Sequence, residues 1–253
     1  FLVTIAYLSM SFGELMSIIY LLLLSRKRYS FTPLKNINKQ NLIMKDLLNI
    51  SLPLTGSRLY HCFMNFLEPI LLILGLTQNF IQDQYAILSG YVVSMLVTPT
   101  FFCTIIYRLY LPIATDDLYY HKSNTFLHLL YALLICFLIG LPFTLIFYFF
   151  PKRSLMILYN TTSGYQQLKY MSFPFLLFYL QTPLSTILQA KNKNKVMFII
   201  SMIECTLEII LTYTLSHYLY VNAILISLFT GLITTLTLSA IYCFKIIKDT
   251  SLS

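Results

Sequence analysis

Between Lys45 and Gln78 runs a segment apolar enough to cross a bilayer, yet one side of it carries Ser51, Thr55, Arg58, His61, Asn65 and Glu68. At about 100° per residue these six fall within an arc of roughly 140° on a helix, while Leu52, Leu59, Phe63, Phe66 and Leu67 face away. Charge held in hydrocarbon costs several kcal/mol, so polar residues inside a span usually face a bundle interior or a water-filled path and mark where a substrate or ion passes. The chemistry expected of this stripe is therefore recognition and passage, not bond breaking.

A second constellation is Glu204 and Glu208, with Ser201 and Thr212 on the same helical face. Two carboxylates one turn apart repel when both are ionised, and burial disfavours the charge. The pair suits a proton or sodium coupling site, or equally two interhelix hydrogen bonds. Glu14, beside Gly13, is a third acid inside an apolar run and a lesser coupling candidate. Cys62, Cys103, Cys136, Cys205 and Cys243 are isolated from one another, and His121, His128 and His217 lack ligand spacing, so neither a metal nor a cofactor is expected. GxGxxG, P-loop and HExxH patterns are absent, and no catalytic residue is assigned. Asp116, Asp117 and His121 share one polar loop, which leaves a membrane-embedded glycosyl- or acyltransferase as the less favoured enzymatic reading.

The elements that must position these groups are membrane helices. Hydrophobic residues make up 58% of the 253 and charged residues 10%, with a mean hydropathy of +0.75; a soluble domain carries about a quarter charged residues. Seven apolar runs approach the ~20 residues needed to span a bilayer: Phe1 to Leu24, Leu47 to Leu76, Tyr85 to Ile113, Phe126 to Phe150, Tyr170 to Ala190, Val196 to Ser216 and Val221 to Phe244. Lipid offers their backbones no partner, so all seven are read as helices and the fold class as an all-α integral membrane protein.

Charge in the connections orients them. Arg26, Lys27, Arg28, Lys35, Lys39, Lys45, Arg108, Lys122, Lys191, Lys193, Lys195, Lys245 and Lys248 fall on one side, 13 of the 17 basic residues. Lys152, Arg153 and Lys169 fall on the other. The positive-inside rule then predicts a multi-pass protein of the plasma membrane with its N-terminus outside and its C-terminus in the cytoplasm. The net charge of +8 reads as this topology signal and as attraction to anionic headgroups, with no indication of nucleic acid.

Residues 25–46 form the one sizeable polar linker and divide a lone first helix, 1–24, from a block of six in 47–253. Six helices after a cytoplasmic linker suit one lobe of a two-lobed transporter, the lone helix being the last of a missing N-terminal lobe of the same chain. Phe1 is not an initiator methionine, and the reading frame is expected to continue upstream by roughly 200 or more residues carrying at least five further spans. Pro53, Pro69, Pro99, Pro142, Pro174 and Pro183 lie inside spans. Each removes a backbone hydrogen bond, which either makes a hinge or reflects the ordinary frequency of proline in membrane helices.

Three stretches carry a resemblance: ISLPLTGSRLYHCFMNFLEPILL from Ile50, YAILSGYVVSMLVTPTFFCTIIYRLYLPIATD from Tyr85, and FLLFYLQTPLSTILQAKNK from Phe175. With SLPLT ahead of a membrane Glu-Pro pair, a proline-interrupted helix ending in LPIATD, and PLSTILQA running into a basic turn, the chain resembles the C-terminal lobe of the stage V sporulation protein B-like polysaccharide flippases. These bacterial proteins belong to the superfamily that also holds multidrug exporters (MATE-like) and the lipid II flippase. The resemblance implies movement of a lipid-linked oligosaccharide or cell-wall precursor from the inner to the outer leaflet. Arg58, about 17 Å into its helix, would take a pyrophosphate bidentately, and His61, Asn65, Thr55 and Ser51 would bond sugar hydroxyls. The competing role for Arg58 is an interhelix structural bond; Glu68 is about 15 Å along the same helix, too far for a direct bridge. Within the superfamily the alternative is a cation-coupled drug exporter, favoured by a cavity that is mainly apolar and acidic.

Overall fold

A computed structural model describes residues 12–13, 15–24, 37–75, 80–120, 124–220 and 222–251, and their regular structure is helical. The chain divides into two compact units, Phe1–Leu48 and Asn49–Ser253. In the first, helix α1 covers Leu15–Leu24 with exposed apolar side chains. Glu14 lies outside the described residues, as do residues 25–36 of the basic linker. Helix α2, Ile37–Gly75, begins in this unit and continues into the second with Pro53 and Pro69 inside it.

The second unit continues with α3 (Phe80–Ile87), a π-helical turn (Leu88–Val93), α4 (Ser94–Val97), α5 (Thr100–Tyr119), α6 (Thr125–Phe149), α7 (Pro151–Tyr159), α8 (Tyr165–Ala190), α9 (Asn194–Leu219) and α10 (Asn222–Ser251). Four helices, α6, α8, α9 and α10, are long and apolar enough to cross a membrane. The segments Asp83–Val97 and Thr100–Tyr119 make a fifth span if the two, bent by 42°, are counted as one. The expectation of seven is thereby reduced to four or five among the described residues. Much of the first run lies outside them, and α2 falls short because its own polar stripe lowers its hydropathy.

The third run is broken where Pro99 contributes no N–H and interrupts the helical ladder. Upstream the chain is wound as a π-helix from Leu88 to Val93. The 151–169 stretch, which separates two of the apolar runs, contains α7. Pro151 sits at its first turn, where a fixed φ favours helix entry. Asn160 ends it at φ 52°, a left-handed stop that asparagine tolerates better than most residues.

Helix α8 is the axis of the second unit. Half of its most apolar window is buried, against 22–33% for the other three spans, and it packs against α5, α6, α9 and α10. Leu168, Met171, Phe175 and Tyr179 join one apolar cluster with Leu88, Val92, Leu96, Cys136 and Phe147. Leu184, Ile187 and Leu188 join a second with Tyr110, Leu129, Ile200 and Cys243. Close approach of α6 depends on Gly140, where a Cβ would collide with the Tyr179 ring. That ring is held in turn, since the Tyr179 hydroxyl donates to the Leu96 carbonyl at 2.8 Å.

Candidate functional site

Three residues of the α2 stripe reach one cavity. His61, Asn65 and Glu68 line a space of about 410 Å³ together with Glu204, Cys205 and Glu208 of α9. Tyr85 and Ser89 supply further polar groups, and Leu88, Phe175, Phe178, Ile224, Leu228 and Leu232 supply apolar walls. The helical repeat explains the selection, because residues at 61, 65 and 68 follow the i, i+4, i+7 spacing of one face. On α9 the i, i+4 spacing does the same for Glu204 and Glu208. The two constellations that stand apart in the sequence therefore converge on one space.

The carboxylates differ in their support. Glu68 accepts a long hydrogen bond from the Tyr85 hydroxyl at 3.4 Å. Glu204 is only 7% exposed and lies near Thr235 of α10, whose hydroxyl donates to the Gly231 carbonyl at 2.7 Å. Glu208 is within electrostatic range of both Glu204 and Glu68, and its carboxylate lies where a Cβ on Gly231 would stand. Glycine at that point of α10 is what lets the side chain lie against the neighbouring backbone. Among the residues lining the cavity none is Lys or Arg. Ser201 does not line it, and Thr212 is bonded instead to Ser227, hydroxyl to hydroxyl at 2.7 Å.

Arg58, Thr55 and Ser51 are exposed and do not line the cavity. No carboxylate lies within ion-pair distance of Arg58 among the described residues; its charge is felt by Tyr107, whose hydroxyl bonds Gln189 of α8. Helix α2 meets α9 through a 2.8 Å bond between Tyr60 and Thr206 and through Gly56, which faces the Phe198 ring. Asp116 and Asp117, expected in a polar loop, lie instead in the last part of helix α5; Asp117 is buried and shares a 2.5 Å contact with His128, which ties α5 to α6. Asp116 is exposed, and His121 lies outside the described residues. No group of three or more His, Cys, Asp or Glu could hold a metal ion among the described residues. Tyr85 and Ser89 were not anticipated, since one begins an apolar run and the other lies in a π-helical turn that periodicity does not reveal.

Long apolar helices around a polar-lined space define the class of a helical membrane bundle. Stage V sporulation protein B of Bacillus subtilis (strain 168) is 28% identical over 197 residues, covering 74% of this chain and 38% of that protein. The chain is distantly related to it and spans well under half its length. No family model matches the sequence, and no solved structure matches it.

Proposed function

We propose that the chain is one lobe, with its entering helix, of a flippase-type transporter that moves a lipid-linked oligosaccharide or cell-wall precursor from the inner to the outer leaflet by alternating access. The cavity that unites His61, Asn65 and Glu68 with Glu204 and Glu208 carries this reading, because apolar helices enclosing polar groups are the architecture of a transport path. The distant relation to the sporulation protein supports the broad class. In this reading a second lobe of the same protein completes the path. The exposed Arg58, Thr55 and Ser51 meet the pyrophosphate and sugar there, and the bilayer surrounds the bundle. Repulsion between Glu204 and Glu208, one turn apart at an apolar cavity, is relieved by a proton or a monovalent cation, so these two form the coupling site, with Glu68 of the substrate stripe beside them.

One observation favours the second reading, a cation-coupled drug exporter: the cavity is acidic and apolar with neither Lys nor Arg in its lining. Reconstituted full-length protein separates the two. A fluorescent lipid-linked oligosaccharide should become accessible at the far leaflet when a sodium or proton gradient is imposed. Glu208→Gln should cut that gradient-dependent rate by about ten-fold. Gradient-driven export of a cationic dye with no movement of the lipid-linked sugar would establish the exporter instead.

A further inference from the structure

Lys152, Arg153 and Lys169 stand at the end of the bundle where α6 passes through α7 into α8. Helix α8 runs 26 residues from there to the Lys191–Lys195 turn, about 39 Å away. By the charge rule this is the end that should be poor in basic residues, so topology does not account for them. All three border one cavity of about 390 Å³ with Tyr148, Phe150 and Tyr165. The Lys152 ammonium lies 4.5 Å from the centre of the Tyr165 ring, the Lys169 ammonium 5.1 Å from that of Tyr148, and the Arg153 guanidinium 5.8 Å from that of Phe150.

Aromatic faces hold cations without consuming their N–H donors as a carboxylate would. No acidic residue borders this cavity, and none of the three cations is ion-paired among the described residues. The N-terminus of α7 adds its own partial positive charge, and no side chain caps it. Lys152, Arg153 and Lys169 are exposed and border one space without a carboxylate among its lining residues, and their donors fit phosphate oxygens. The surroundings say where that phosphate comes from. On α7, Met156, Ile157 and Leu158 are 52%, 82% and 59% exposed, an apolar surface beside a basic one, as in segments that lie at headgroup depth.

We infer that this aromatic-backed basic cradle binds the phosphate group of an anionic membrane lipid, with α7 lying at the level of the headgroups. The inference is independent of what is transported. The sequence contains no tryptophan, so Ile157→Trp provides a single reporter beside the cradle. In phosphatidylcholine vesicles, phosphatidylglycerol with brominated acyl chains should quench this reporter at lower mole fraction than brominated phosphatidylcholine. The preference should fall by about five-fold for each basic side chain engaged, and vanish when Lys152→Gln, Arg153→Gln and Lys169→Gln are combined. If the combined variant does not elute as folded protein, Lys169→Gln alone should still lower the preference several-fold. Millimolar inorganic phosphate should leave the preference intact. Equal quenching by both lipids, a preference surviving the replacements, or its abolition by free phosphate would each overturn the assignment.

Discussion

Arg58 is where the transport reading is most exposed to test at the scale of a single residue. It is solvent- or lipid-accessible and without a carboxylate partner among the described residues. If it binds a pyrophosphate, Arg58→Ala in the full-length protein should abolish complementation while leaving the membrane level of the protein unchanged. Arg58→Lys should restore activity in part, because an ammonium keeps the charge but loses the planar fork. A structural bond to the second lobe, which would bury the guanidinium there, predicts the opposite pattern: reduced abundance for Arg58→Ala and tolerance of Arg58→Met, since an apolar isostere often replaces a buried ionic group at little cost. Well-expressed Arg58→Met protein with full activity would remove Arg58 from substrate recognition.

At the scale of elements, charge placement predicts that the α8–α9 turn and the α6–α8 connection lie on opposite sides of the membrane. In a background with the five cysteines replaced, Asn192→Cys should resist a membrane-impermeant maleimide applied to intact cells. Ser163→Cys should react; reversal of the two reactivities would invert the topology. The apolar runs located α6, α8, α9 and α10 to within a few residues at most ends, because a span must satisfy its own backbone and be long enough to cross. Helix α7 was not legible: nine residues with Lys152 and Arg153 are too short and too charged to register as a run. The break at Thr98–Pro99 was marked by its proline, but not the π-helical turn before it. For the site, the 3.6-residue period placed His61, Asn65 and Glu68 on one face and Glu204 with Glu208 on another. That α2 and α9 turn those faces to a common cavity is tertiary information, carried by contacts such as Tyr60 with Thr206 that no local pattern encodes.

For the molecule as a whole, stability should concentrate around α8, which contributes to both apolar clusters. Gly140→Ala should be destabilising by about 1–3 kcal/mol despite the better helix propensity of alanine. The colliding Tyr179 ring is 1% exposed and bonded at its far end, so it has nowhere to move. Leu138→Ala, two residues away at a position 58% exposed, should leave the midpoint of thermal unfolding in detergent close to that of the parent. Equal losses from the two changes would refute an α8-centred architecture.

The same tyrosine changes the meaning of the bend at Pro99. Thr100 makes no backbone bond to Leu96 across that break among the described residues, and the carbonyl so released is taken by Tyr179 of α8. A proline bend whose freed carbonyl floats in lipid can flex. This one has its open carbonyl satisfied by a neighbouring helix, so bending further at Pro99 would cost the loss of that bond, about 1 kcal/mol, and the break is held as a bracket between α4 and α8.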